Sequence, residues 1–460
     1  METPTPLTTP ALLAHLETHD GPLALPRGGT LCWDDADLHR AAYTTDPEGY
    51  ALLGLAPGVL PWQRARVLLQ ILAATQAGLN EPARHTLARV AHVLTLALPP
   101  AAVITVLLAL RRLRANHKHT TRAVLRFVLE HPEADTLIAA RRPALADCFE
   151  HALGKATARG CARRIQAGDT GSEYLRRRLL RFLAGTAPAP ARVLALYEAA
   201  DETAYIPYEP VLPLDARRER EPIVTTTNRG DIAATLVHLY RGGAAGEPGG
   251  AAGGAGGAGE LEAALGRYVG AATAAYPRFE GSVALVLDVS PSMRGYGDRE
   301  WALLSQAAAL RMVLAGICDR LEVIETGSAA GRAAGGATDL ATGVLDALAT
   351  GPDLVAVVSD GYENLFPGDL ARVAATLPRA GIATPLVLCT ALFTGADDLT
   401  LRRPAPALPQ RGFWHQDDFA ELLPWMFGHC AAGAPWLRAA LAARLDDLDH
   451  QAARIGGIAA

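Results

Sequence analysis

The sequence predicts an all-α N-terminal half joined to a doubly wound α/β C-terminal half. Three observations lead there. Up to about residue 240, apolar residues recur at helical spacing with short turns between the runs. From about residue 280, short apolar runs of strand length alternate with helical ones. Between them lies Arg241 to Glu260, RGGAAGEPGGAAGGAGGAGE, a composition expected of a flexible linker or loop. A chain of 460 residues exceeds one ordinary domain. The expected division is 1–240 helical, 241–260 linker, and 261–460 α/β with closing helices.

The helical half is built from amphipathic segments. Trp62 to Gln76 places Val67, Leu68, Ile71 and Leu72 on one face. Leu87, Val90, Val93 and Leu94 continue the pattern, then Val103 to Leu110. His119 to His131 carries Val124, Leu125, Val128 and Leu129. Arg142-Pro143 opens a further segment through Leu145, Cys148, Phe149 and Leu153, and Leu175 to Leu183 and Ala191 to Ala200 follow. Helix pairs in series suggest an α-solenoid of the HEAT type, although no strict repeat is present. Val90 to Leu110 carries no charged residue apart from His92, but Pro99-Pro100 interrupts it. Two buried helices joined at the prolines fit better than one membrane span, so no membrane contact is expected.

Charge is unevenly distributed. From Arg111 to Arg181, sixteen basic residues stand against seven acidic ones, a local balance of +9 in a chain of net charge −5. Guanidinium groups clustered on helices suit a phosphate backbone, because arginine bonds it in bidentate fashion. The candidate RNA contacts are Arg111, Arg112, Arg114, His117, Lys118, Arg122, Arg163, Arg164, Arg176 and Arg177. A merely solvated basic face and a protein-facing surface are the alternatives. The six cysteines show no Cys-x-x-Cys spacing, and Met1-Glu2-Thr3-Pro4 lacks the basic and apolar parts of a secretory signal. Reduced thiols in a cytoplasmic protein are expected.

In the C-terminal half, Val283 to Leu287 reads as a buried strand, followed by a helix from Trp301 to Ile317 and a strand from Leu321 to Thr326. Leu340 to Ala349 reads as helix, Leu354 to Val358 as strand, Asp369 to Arg379 as helix and Pro385 to Cys389 as strand. A short edge strand is expected near Gly412–His415, with closing helices over Asp417 to Cys430 and Trp436 to Arg454. The chemistry falls at the strand ends. Asp288, Ser290 and Ser292 put three hard oxygen donors on one loop, Thr338 follows Gly335-Gly336-Ala337, and Asp360-Gly361 ends the Leu354 strand. Ligands of open α/β sheets sit beyond the carboxyl ends of the strands. Hard oxygens suit Mg²⁺, with Mn²⁺ and Ca²⁺ as alternatives.

This set, Asp288-x-Ser290-x-Ser292 with Thr338 and Asp360, resembles the von Willebrand factor A domain, a Rossmann-like fold, and its metal-ion-dependent adhesion site. The resemblance implies that Ser290, Ser292 and Thr338 contact the ion directly or through water. It also implies that Asp288 and Asp360 hold bound waters and that one position stays open for an acidic group from a protein partner. Pro291 stands where glycine is common, Ala337 is inserted before the threonine, and the segment between Thr326 and Thr338 leaves little room for the usual antiparallel edge strand.

A helical-repeat domain ahead of such an A domain resembles the Ro autoantigen family, the TROVE-module RNA-binding proteins. Asn116-His117-Lys118 with Arg122 and Leu125 is loosely similar to a basic helix of that family. The resemblance implies a non-catalytic scaffold for small non-coding or misfolded RNA. The alternative is a metal-dependent adaptor working with an ATPase or another complex, without RNA. Asp288 and Asp360 alone, with no evident general base or second metal set, do not suggest an enzyme.

Overall fold

A computed structural model describes residues 8–26, 30–113, 118–179, 188–198, 208–215, 231–244, 255–274, 276–327, 336, 338–394 and 402–458. The chain divides into two compact units. One contains Leu12–Ala216 with Leu441–Ala460, and the other contains Arg217–Ala440 with Thr8–Ala11.

The first unit is helical: α1 (Thr9–Thr18), α2 (Ala36–Thr45), α3 (Pro47–Leu53), α4 (Pro61–Ala73), α5 (Glu81–Ala97), α6 (Pro100–Arg112), α7 (Lys118–Glu130), α8 (Ala134–Leu153), α9 (Lys155–Gln166), α10 (Glu173–Leu179) and α11 (Pro188–Ala195). Proline starts α3, α4 and α6 at their first position, where its missing N–H costs nothing. The apolar run split by Pro99-Pro100 forms α5 and α6, two separate helices as expected. α8 is two helices across a kink at Arg141, whose φ of −132° leaves the helical range, so Arg142-Pro143 opens the second segment as expected.

The apolar faces pack, but α4 also buries charge. Arg64 bonds the carbonyls of Gly54 and Ala56 and the carboxylate of Asp215. Arg66, fully buried, pairs with Asp34 and Asp35. Arg89 of α5 is held by Asp446 and Asp449 from the C-terminal segment of this unit.

The second unit begins with α12 (Ile232–Ala244) and α13 (Ala255–Thr273). Both extend into the stretch expected to be linker, whose residues 245–254 lie outside the described ones. Then come β1 (Phe279–Asp288), α14 (Pro291–Arg294), α15 (Ala302–Ile317), β2 (Cys318–Thr326), α16 (Leu340–Ala349), β3 (Leu354–Ser359), α17 (Asp369–Thr376), β4 (Leu386–Ala391), β5 (Gln410–Phe413), α18 (Phe419–Gly428) and α19 (Ala434–Ile458), whose residues from Leu441 onward belong to the helical unit. The sheet has five strands in the order β2-β1-β3-β4-β5, and every pairing is parallel.

The alternation of a strand sorts its side chains between two cores. Val283, Leu285 and Leu287 of β1 join Leu354, Ala356 and Val358 of β3 against α15 and α18. Ala284 and Val286 join Val355 and Val357 against Leu340 and Val344 of α16 and Leu370 of α17. Both faces are covered, which is why these strands read as continuous apolar runs. Gly343 lets α16 approach the sheet closely: a Cβ there would lie 2.5 Å from Thr326 and 2.8 Å from Val286.

Candidate metal centre

β1 connects to β2 on one side and lies beside β3 on the other, so the strand order reverses between β1 and β3. A crevice at such a switch point is the ordinary ligand position of an open α/β sheet. Asp288 ends β1 there and Ser359 ends β3.

Asp288 is wholly buried, and Ser359 Oγ donates to its Oδ2 at 2.8 Å. The same hydroxyl lies 3.5 Å from Oδ1 of Asp360, linking the two carboxylates. The Ser290 N–H donates to Asp288 Oδ1 at 2.9 Å, which folds the loop back onto the strand end. Ser290 Oγ and Ser292 Oγ are 3.0 Å apart. Pro291 occupies the first position of the short helix α14, so its fixed φ supports the turn that carries both serines.

The glycine-rich segment reaches the same place. Gly327 has φ +82°, and a Cβ on it would lie 2.9 Å from the Ser290 nitrogen. Gly336, at φ +145°, lies against Gly327, where a Cβ would be 3.1 Å from the Gly327 carbonyl oxygen. Only glycine suits both positions. Thr338 is wholly buried, its carbonyl accepts from the Leu365 N–H at 3.1 Å, and its Oγ1 has no hydrogen-bond partner among the described residues. Asp339 follows it as the N-cap of α16, accepting from the Thr342 N–H and hydroxyl. After β3, the Tyr362 N–H donates to Asp360 Oδ1 at 3.1 Å, and the Glu363 carboxylate accepts from the N–H groups of Gly368 and Leu370.

Burial drives the electrostatics. It pushes the Asp288 carboxyl up to about 6, against hydrogen bonds from Ser290 and Ser359 that lower it, and the nearby Asp360 charge adds to the rise. Two buried carboxylates, two linked serine hydroxyls and a buried threonine hydroxyl without a partner among the described residues are hard-oxygen donors. Asp288, Ser290, Ser292, Thr338 and Asp360 are thus of the donor type that a divalent cation of the Mg²⁺ class takes.

The loops that carry these donors also hold exposed aromatic rings, which the sequence reading did not single out. Tyr296 is 87 % exposed, Tyr362 52 % and Phe366 59 %. Phe366 also has φ +53°, an unfavourable backbone conformation for an aromatic residue.

Most of the basic candidates whose side chains are described make a bond or ion pair. Arg111 bonds Asp147, and Arg122 donates to the Ala152 carbonyl from a half-buried position. Arg164 pairs with Asp169 and lies 4.4 Å over the Tyr174 ring, while Arg177 pairs with Glu173. Arg112 and Arg163 are exposed. Arg114 and His117 lie outside the described residues. Lys118 opens α7 and Arg176 lies on α10, but neither side chain is among those described. Among the described residues, no helix is long and apolar enough to cross a membrane.

Compared with known proteins, the chain matches no protein-family model and no curated protein.

Proposed function

We propose that the α/β unit is a cation-dependent docking module. A divalent ion, Mg²⁺ first among the candidates, would be held by Ser290, Ser292 and Thr338, with Asp288 and Asp360 behind them. An acidic group of a protein partner would complete its coordination, and the unit would carry no catalysis of its own. One observation above the others supports this reading: among the described residues the buried Thr338 hydroxyl has no hydrogen-bond partner, on a segment that reaches the Ser290 loop through Gly336 and Gly327. The exposed Tyr296, Tyr362 and Phe366 add the aromatic contact area that protein interfaces favour. This reading agrees with the resemblance to von Willebrand A domains. The test is fluorescence anisotropy of a labelled aspartate-rich peptide with the full chain. Binding is expected with Mg²⁺ and lost with EDTA or in Ser290→Ala, and cation-independent binding would overturn the proposal.

A second reading, favoured by the exposed Arg163 and the arginines beside Tyr174, is an RNA scaffold of the Ro kind. Arg164 lies 4.4 Å and Arg178 5.9 Å from the Tyr174 ring, an arrangement that suits stacked bases and phosphates. Filter binding of a small structured RNA over a salt series tests it: steep salt dependence supports it, and no binding at low salt removes it.

A further inference from the structure

In the helical unit, His15 and His19 stand four residues apart at the end of α1, the spacing that puts two side chains on one helix face. Their rings stack with centroids 4.7 Å apart. Facing them are Asp34 and Asp35, the residues just before α2. His15 Nε2 lies 2.8 Å from Asp35 Oδ2. His19 Nε2 lies 3.0 Å from Asp34 Oδ2 and 3.8 Å from Asp35 Oδ2. Two imidazoles thus point the same ring nitrogen at two adjacent carboxylates.

We propose that His15, His19, Asp34 and Asp35 bind a transition-metal ion of the Zn²⁺ class, separate from the hard-cation site of the α/β unit. Two histidines and two carboxylates give the donor types and the number that tetrahedral zinc takes. Imidazole selects such borderline ions over Mg²⁺ and Ca²⁺.

The surroundings support a built site. Arg66, wholly buried, donates to Asp35 Oδ2 at 2.7 Å and to Asp34 Oδ1 at 2.8 Å, fixing both carboxylates from one side. Gln63 donates to Asp35 Oδ2 at 3.0 Å and to the His19 carbonyl at 2.9 Å. His39 engages Tyr50 and Gln63 through its two ring nitrogens and lies 3.3 Å from Asp35 Oδ2, so it serves as a positioning residue. Such outer partners orient metal ligands. The Asp35 side chain is only 6 % exposed, yet among the described residues its Oδ1 has no hydrogen-bond partner. That is an expensive omission for a buried carboxylate unless a cation occupies the site. With neutral imidazoles, the two aspartates and Arg66 leave one negative charge uncompensated. Asp34 is 61 % exposed and His19 32 %, which gives an ion access from solvent. At Gly21 a side chain would crowd this entrance, since a Cβ would lie 3.2 Å from His19 Nε2 and 3.3 Å from Asp34 Oδ2.

The experiment uses the full chain without a histidine tag, loaded with Zn²⁺ or Co²⁺, freed of excess ion by gel filtration, and assayed by elemental analysis and visible absorption. At least about one equivalent of Zn²⁺ is expected to remain, and the Co²⁺ form is expected to show the intense visible bands of tetrahedral coordination. His19→Gln with Asp34→Asn, both at the exposed side, should weaken retention by about tenfold or more, with unchanged far-ultraviolet circular dichroism. Ser290→Ala should retain the metal as wild type does, which separates this site from the one in the α/β unit. If the double variant does not fold, the wild-type cobalt spectrum decides. No retained zinc, a cobalt spectrum of the free aquo ion, or equal retention in a folded double variant would overturn the proposal and leave a proton-bridged histidine–aspartate cluster.

Discussion

Asp288→Asn separates the cost of a buried charge from the use of that charge. In the metal-free protein, burial holds the Asp288 carboxyl at about 6, roughly two units above an ordinary aspartate. Below pH 4 the group is protonated in both folded and unfolded chains, so no penalty exists. Between about 4 and 6 the unfolded chain has lost its proton and the folded one has not. Stability contributed by this group therefore falls as pH rises through that window and levels off above it. Two units amount to about 3 kcal/mol at pH 7. Asparagine is nearly isosteric and can still accept from the Ser290 N–H, but it carries no charge. The variant should thus match wild type near pH 4 and exceed it by up to about 3 kcal/mol at pH 7 in EDTA, with the difference growing between. Adding Mg²⁺ should reverse the order, because only the wild type gains from the ion. The assay is urea unfolding from pH 4 to 8, with and without Mg²⁺, following the transition of the α/β unit. Parallel stability curves for the two proteins in EDTA would refute the reasoning about burial.

Thr338→Val removes a buried hydroxyl that has no hydrogen-bond partner among the described residues. It should stabilise the metal-free protein by about 1 kcal/mol and weaken Mg²⁺ binding, as melting with and without the ion would show. Arg66→Met breaks the buried pairing with Asp35 and should cost the helical unit about 3–5 kcal/mol in urea melts, leaving the α/β transition unchanged. Arg163→Glu with Arg177→Glu, both at exposed positions, should lower affinity for structured RNA by about tenfold or more and flatten its salt dependence. Unaltered RNA binding would remove that surface from the account.

The sheet was legible because β1, β3 and β4 are buried on both faces and so appear as unbroken apolar runs. The order of the candidate metal donors along the chain was legible too, since Asp288, Ser290 and Asp360 sit where strands end. What brings the Thr338 segment in was not: the fit of Gly336 on Gly327, and of Gly327 on Ser290, joins residues far apart in sequence. The glycine and alanine of 241–260 suggested linker, yet α12 ends and α13 starts inside it. In the basic region the pairing was legible only in part. Arg177 with Glu173 is an i, i+4 pair visible in sequence, but Arg111 reaches Asp147, which lies 36 residues along the chain. The histidine–aspartate cluster also carried a local signal, His15-x₃-His19 and Asp35-x₃-His39, though only the fold sets these two spacings against each other.

Mn²⁺ titration followed by the electron paramagnetic resonance of the free ion tests the central claim most directly, comparing wild type with Ser290→Ala so that any uptake by imidazole sites cancels. The account predicts that wild type removes about one more equivalent of Mn²⁺ than the variant, at one saturable site that Mg²⁺ displaces. Identical titrations of the two proteins would contradict it.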